Sequence, residues 1–556
     1  MSVADCTLAP TITKIIQKHV SDQKTHSDDV YAALHILLNG DYEKYNFNDE
    51  VIRKSWNDIL FSDNLQNILS KINEKHDGRK ELGRFYTPKD VAEYVVANSF
   101  VAAINQNAKT VLSKENCLKK LLKFPDELDT LLFKYSVFDP TCGTAEFLVT
   151  ALESKLSLYE KTHKKKSSED YLKILQTIHG NDINETSVEI SKIRLFFLIS
   201  SYLKNSDLSR VAEILNANFS KINFLDTSLL PQKKYNIIVG NPPYIEDRRI
   251  EPKPLNRFGN IYANILENSC HLLDKIGVMG FVLPLSYVAT MRMKKIRDIV
   301  NTYTPKQFLL NYADRPDCLF TKVHQKLTIL LSTNQSEKLD VYTSGYNHWY
   351  KNERGKLLED IELMSNPYTQ FSRVPKIANE TERNIFDKIL AQKDDKTLEN
   401  LSRKDFIPNV FLNMRGTFWI KAFSFHPGSK EYKEFAYDED LQPYMLCLLN
   451  SNLFFIFWLI VSDCWHITKK DLSSFKVITD NIDGDLFSKL AQRLEKKLEE
   501  TKQYIGTKQA EYAYKHKLCK EEIDLIDDEL AKIYGLSECE LEYIKKYQLK
   551  YRTSEK

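Results

Sequence analysis

The sequence predicts an α/β fold: an open, mostly parallel sheet layered with helices, an N-terminal helical segment before it and a C-terminal α+β region after it. Three observations carry this. Between about Gly83 and Ser332, short β-rich runs alternate with helical stretches, the rhythm of strand–helix–strand units. Glycine and proline are scarce, 16 and 17 in 556 residues, so collagen-like and low-complexity readings fall away. Hydrophobic residues make up 42% and aromatics 11%, enough to fill more than one buried core.

Taken in order, residues 1–80 are polar, with Ile59, Leu60, Leu65, Ile68, Leu69 and Ile72 at three- and four-residue spacings, which predicts a helical segment. Residues 81–335 hold the β-rich runs Tyr135–Phe138, Tyr235–Val239, Val278–Leu283 and Leu327–Leu331. Past Asn334 the pattern is irregular, rich in Asn, Lys and aromatics, and dense in Phe and Trp around Phe406–Val477. That stretch is expected to form an α+β region over 336–485. The remainder, 486–556, carries Leu486, Leu490, Leu494 and Leu498 spaced by four amid charged residues. The repeat is too short for a coiled coil and predicts an amphipathic helix packed on its own domain.

Charge and cysteine usage exclude several classes. With 78 basic and 76 acidic residues the net charge is +2, neither a polybasic tail-like binder nor an acidic disordered solubiliser. Nine scattered cysteines form no C-x-x-C pair, so reduced, mostly buried thiols are expected, with no disulfide frame and no metal site. Met1–Pro10 shows no basic stretch followed by an apolar run, and no export signal is expected. The longest apolar run, Leu453–Val461, falls far short of the ~20 residues that span a bilayer. The expectation is a soluble, cytoplasmic protein with no membrane partner.

Three loops carry chemistry. In Phe138-Asp139-Pro140-Thr141-Cys142-Gly143-Thr144 a β-rich run leads into a turn and a helix start, the place where parallel sheets bind ligands. Gly143 permits close backbone approach, and the first helical N–H groups can meet a carboxylate. In Gly240-Asn241-Pro242-Pro243-Tyr244 consecutive prolines make a rigid loop after a strand. The Asn241 side chain and the Pro242 carbonyl then offer fixed acceptors beside the Tyr244 ring, an arrangement suited to a planar amino group. A prolyl turn without chemistry is the bland alternative. Upstream, Gly83-Arg84-Phe85-Tyr86-Thr87-Pro88 precedes a helical pattern, with Thr87 or Pro88 starting that helix.

Together the three resemble the N6-adenine DNA methyltransferases of restriction–modification systems in the arrangement called gamma: F-x-T-P, then D-P-x-C-G, then N-P-P-Y, then a long target-recognition region. The resemblance covers roughly residues 80–335 by motif. It implies a Rossmann-like, S-adenosylmethionine-dependent methyltransferase domain over 81–335, with DNA target recognition over 336–485. It also implies roles. Asp139, Thr141 and Gly143 would line the methionine part of S-adenosylmethionine, with Tyr86 and Thr87 on its other side. Asp182, in His179-Gly180-Asn181-Asp182, would accept the ribose hydroxyls, and Asp226 would contact the cofactor's adenine. Asn241 and Pro242 would accept the hydrogens of the target amine, with Tyr244 stacking on one face of the flipped base and Phe320 on the other. Catalysis would be positioning plus preorganised dipoles, without metal or covalent intermediate.

Two departures bear on this. The position usually held by a second glycine is Ala145, acceptable if it is already helical. The separation from Asp139 to Asp182 exceeds the ~20 residues of a minimal unit, which predicts a surface loop over Thr162–Asp170. For the partner, double-stranded DNA, the near-neutral charge requires uneven distribution. Arg248, Arg249, Lys253 and Arg257 follow the catalytic loop and are the better candidates for gripping the strand. Arg292, Lys294, Lys295 and Arg297 form a second cluster. Asn409–Lys421 and Trp465–Lys470 mix aromatics and basic residues as a groove reader would. A separately encoded cognate restriction endonuclease is a further implied partner. The alternatives are an RNA or protein-glutamine N-methyltransferase, and an inactive methyltransferase-like DNA-binding subunit.

Overall fold

A computed structural model describes residues 87–105, 111–251, 254, 256–320, 323–361, 363–368, 371–392, 396–403, 405–507 and 511–553. The expected helical segment over 1–80, together with Gly83, Tyr86 and Lys253, lies outside them.

The chain forms a mixed α/β structure around one nine-stranded sheet, in the order β3-β2-β1-β4-β5-β7-β6-β8-β9. The strands are β1 Val137–Asp139, β2 Ile178–Asn181, β3 Phe219–Ser220, β4 Tyr235–Gly240, β5 Leu273–Pro284, β6 Lys306–Tyr312, β7 Leu327–Thr333, β8 Asp340–Asn347 and β9 Met364–Ser365. The first five are parallel to one another; β7 runs antiparallel between β5 and β6. Strands covered on both faces must be apolar throughout, and Ile237, Ile238 and Val239 of β4 and Val278–Leu283 of β5 meet that condition by being buried without alternation. The expected Rossmann-like layering therefore forms. The sheet continues through β8 and β9 to Ser365, past the residue-335 end expected for the unit, because β8 pairs in parallel with β6.

Helix α1 (Lys89–Ile104) packs against the sheet with nearly its whole circumference buried, so its apolar residues form no single stripe. Expected as a cap, Thr87 does not cap: helix α1 starts after Pro88, which makes no side-chain cap bond. The long β1–β2 connection is built differently from the predicted loop. Helix α2 (Glu146–Thr162) is followed after a short exposed turn by a second helix, α3 (Ser168–Gln176), whose N-terminus is capped by the Ser167 hydroxyl accepting from the amide of Asp170. The extra length is a helix, and only 163–167 form the surface loop.

Beyond the sheet, a three-stranded antiparallel sheet (Val410–Asn413, Ala422–Phe423, Tyr432–Phe435) sits with a helical array. The apolar run Leu453–Val461 is one fully buried helix, Asn452–Val461, and among the described residues no single helix is long and apolar enough to cross a membrane. The leucine repeat lies on the helix Gly484–Thr501, whose buried stripe is Phe487, Ala491, Leu494 and Leu498. Leu486 and Leu490 sit at its margin. Of the eight described cysteines only Cys539 is exposed, in keeping with thiols acting as small apolar residues.

Candidate active site

The strand order reverses between β1 and β4, and at such a switch point the loops after adjacent strands part and leave a crevice at their carboxyl ends. A cavity of about 450 Å³ lies there, within the ~300–1,000 Å³ of sites for cofactor-sized ligands. Each neighbouring strand contributes its following loop: Asp139–Thr144 after β1, Asn181–Ile183 after β2, Ile222–Leu225 after β3, and Asn241 with Pro243 after β4. Thr87 closes one side, and Arg249, Ile250 and Glu251 another.

Asp139 ends β1 and is 1% exposed. It accepts from the Thr141 amide at 3.0 Å, yet burial pushes its carboxyl well above the usual carboxylate range. A carboxyl desolvated in this way gains most from a cationic group brought into the same cavity. Thr141 supplies a buried hydroxyl with no hydrogen-bond partner, a polar atom whose position invites one from a ligand. Gly143 takes φ +55° and has open space where a Cβ would stand, so the chain's closest approach is left clear. Its amide donates to Asp182 Oδ2 at 2.9 Å, while Asp182 Oδ1 accepts from the Asn184 amide at 2.8 Å. Asp182 thus knits the first two loops together at the cavity wall.

The condition set for Ala145, that it be helical, is not met: it is left-handed at φ 65°, acting as the N-cap of α2. That conformation costs an alanine roughly 1–2 kcal/mol, and the surrounding structure holds it. The holding group is Arg194, on helix α4 (Glu185–Ser200), which donates to the Thr144 carbonyl and forms a 2.9 Å ion pair with Glu146. Both are buried, and Glu146 lines the cavity. Neither was singled out from sequence, although an acidic residue three positions past Gly143 was a readable signal.

The loop after β4 presents Asn241 and Pro243 to the cavity; Pro242 is buried behind them. Tyr244 is not among the lining residues. Its half-buried ring meets Tyr262 edge-on at 6.4 Å, and its hydroxyl donates to Asn241 Oδ1 at 2.5 Å. Gly240 precedes them because a Cβ there would stand 2.9 Å from Asp139 Oδ1. The two key loops are therefore in contact through a missing side chain.

Several expectations are corrected. Phe320 is 1% exposed and packs in the core, since its segment turns inward through a bridge to Val323; it cannot cover a base in this arrangement. Asp226 stands outside the cavity, spending its carboxylate on the Ser228 amide and hydroxyl as a helix cap. Asn223, three residues earlier, lines the cavity instead, beside Ile183, an isoleucine 57% exposed at the lip. Arg248 and Arg249 are exposed and share the carboxylate of Glu246, with Arg249 also lining the cavity. In the second cluster Arg297 is buried, donating to the carbonyls of Tyr287, Thr290 and Ser372, and Lys294 pairs with Asp298. In Asn409–Lys421, Val410 and Leu412 are core and Trp419 lies beneath the Arg552 guanidinium at 3.9 Å.

Residues 176–315 match the model of the Eco57I restriction-modification methylase family. A protein of Methanocaldococcus jannaschii whose name describes a type II restriction enzyme and methyltransferase is 28% identical over 191 residues, 30% of this chain and 15% of that one. The type II methyltransferase M.VspI of a Vibrio species is 25% identical over 168 residues, 29% of this chain and 33% of its own length. The chain thus matches a third or less of the length of these relatives. Among solved structures, the type IIL restriction-modification enzyme MmeI in complex with DNA aligns over 91% of this chain and 81% of its own, at 13% identity and TM-score 0.48.

Proposed function

We propose that the chain is an S-adenosylmethionine-dependent DNA methyltransferase of a restriction–modification system, acting on the N6 amine of an adenine flipped out of duplex DNA in the cytoplasm. One observation carries the reading: the Asn241–Tyr244 loop faces, across one cavity, the loops bearing Asp139, Thr141, Gly143 and Asp182. The match of residues 176–315 to a restriction-modification methylase, which includes the Asn241 loop, supports it.

The residues fit the cofactor. Asp139 offers a buried carboxyl to a cationic amino acid group, Thr141 a hydroxyl in search of a partner, and Asp182 a carboxylate for hydroxyls. Asn223, whose Oδ1 accepts from the Leu225 amide, has its side-chain NH2 to donate to the edge of an adenine whose face rests on Ile183. When bound, S-adenosylmethionine supplies a methyl group on a positively charged sulfur, the electrophile of the reaction.

The chain's own part concerns the amine. Adenine's exocyclic nitrogen is a poor nucleophile because its lone pair is drawn into the ring. Asn241 Oδ1, which accepts from the Tyr244 hydroxyl, also accepts one hydrogen of the target amine in this reading. The Pro242 carbonyl accepts the second hydrogen, so both hydrogens are held and the lone pair is released from conjugation with the ring. These dipoles are fixed by the paired prolines before the base arrives, and no reorganisation is needed at the moment of reaction. Flipping the base costs a few kcal/mol, offset by stacking on Tyr244 and by contacts from Arg248 and Arg249 to nearby phosphates. A separately encoded cognate endonuclease is the partner this reading implies.

The test is base-resolved mapping of DNA from methylation-deficient cells expressing the chain. N6-methyladenine at one recurring short sequence is expected. Unmodified DNA alongside methylated RNA or methylated protein glutamine would transfer the reading to those substrates.

A further inference from the structure

Three of the described tryptophans, Trp349, Trp419 and Trp458, are buried, whereas Trp465 is 38% exposed. It belongs to the loop after the buried helix Asn452–Val461 and is held there from several sides. The Trp465 and His466 amides donate to Asp463 Oδ1 at 2.9 and 3.1 Å, and His466 bridges to Arg415. Cys464, immediately before it, is left-handed at φ 57° and buried, turning the indole outward. The ring lies over the Lys326 ammonium at 3.9 Å, and that ammonium is itself paired with the buried Asp314 at 3.2 Å.

Lys326 fixes where this happens. It immediately precedes Leu327, the first residue of β7, which is in register with Pro284 at the end of β5. Two residues back on β5, the Val282 carbonyl lies 3.0 Å from the Tyr244 hydroxyl. Only β5 separates β4 from β7, and strands stand ~4.8 Å apart. Lys326, and the Trp465 ring against its ammonium, therefore lie at the same end of the sheet as Asn241, the Lys326 backbone two strands across from the Asn241 loop. The exposed Arg415 and Lys469 flank the loop, each paired with a surface carboxylate (Glu431 and Glu399), and exposed pairs of this kind are weak enough for a phosphate to displace. A large aromatic ring already immobilised in a turn loses little freedom on binding, and every nucleobase offers it a face.

We propose that Trp465 stacks on a nucleobase of the bound DNA beside the target position, so that the C-terminal region and the catalytic sheet hold one DNA segment between them. This rests on the DNA methyltransferase reading above. The test uses the full chain and a 40-base-pair mixed-sequence duplex, with acrylamide quenching of tryptophan emission read as the difference between wild type and Trp465→Phe. The duplex is expected to shield that emission. Trp465→Ala should weaken duplex binding roughly tenfold, with S-adenosylmethionine affinity by calorimetry unchanged and Trp465→Phe restoring most of the loss. If the alanine variant has lost its thermal transition, Trp465→Leu, which keeps an apolar side chain without a π face, makes the same comparison. Wild-type duplex binding with no shielding and no loss in the variants overturns the proposal while leaving the methyltransferase reading intact. A wild-type chain that binds S-adenosylmethionine but no duplex overturns both.

Discussion

The Tyr244 hydroxyl donates to Asn241 Oδ1 at 2.5 Å, and that hydroxyl oxygen also lies 3.0 Å from the Val282 carbonyl. One proton thus serves two acceptors, and the amide on which the proposed chemistry rests is fixed to strand β5 through the ring beside it. The two side chains can be separated experimentally. Asn241→Ala removes the preorganised acceptor and should lower kcat by about 10²–10³-fold, with S-adenosylmethionine affinity unchanged by calorimetry. Tyr244→Phe keeps the ring and should cost less than about tenfold, the worth of one neutral hydrogen bond. Wild-type turnover by the Asn241 variant would sink the assignment.

Gly240 has a role that its side-chain absence defines. A methyl group there meets Asp139 Oδ1 at 2.9 Å and the Phe281 ring at 3.3 Å, and Phe281 is buried in the sheet. The Asp139 carboxyl must then turn. Gly240→Ala should raise the dissociation constant for S-adenosylmethionine roughly tenfold or more, the worth of one charge-assisted hydrogen bond. Unchanged calorimetric affinity would remove Asp139 from the cofactor site.

Ala145 occupies a conformation in which glycine is at ease. Ala145→Gly relieves the left-handed strain but adds freedom to the unfolded chain, so stability should hold or rise by up to about 1 kcal/mol. Ala145→Val, branched at Cβ, should lose more than about 1 kcal/mol. Denaturant unfolding reads both, and a helical Ala145 would give the opposite order.

Arg194 and Glu146 form an ion pair with side chains 4% and 10% exposed. Arg194→Met strands a buried carboxylate and releases the Thr144 carbonyl, at an expected cost of about 3–5 kcal/mol. Adding Glu146→Gln should recover part of that. Equal melting of the single and double variants would argue against the pairing.

His179, on β2, is buried and lies 2.8 Å from the Lys233 ammonium. Burial, then the charges of Lys233 and Lys155, depress its pKa to about 3 from 6.5. The folded protein therefore keeps His179 neutral while the unfolded chain protonates it. Its contribution to stability is complete above pH 6.5 and falls, by on the order of 1 kcal/mol per pH unit, as pH drops toward 3. His179→Asn should flatten the pH dependence of chemical denaturation in that window.

Much of this molecule was legible in its residues. Short β-branched runs such as Ile237–Val239, bounded by turn residues, betray buried parallel strands, whereas the longer apolar run Leu453–Val461 folds as a buried helix. Asp139, Gly143 and Asn241 stood out because each sits where a strand must end. What the sequence by itself determined is therefore local: strand, turn and helix start, and the residue types gathered at each. Only the tertiary structure decided which of them meet. Phe320 and Asp226 carried suitable chemistry at suitable spacing, yet one turned into the core and the other spent its carboxylate on its own helix. Asn223 and Glu146 took up positions that no spacing announced. The physical reason is that burial and hydrogen-bond partners are properties of the packed chain, in which residues such as Arg194 and Glu146, 48 apart in sequence, form one interaction.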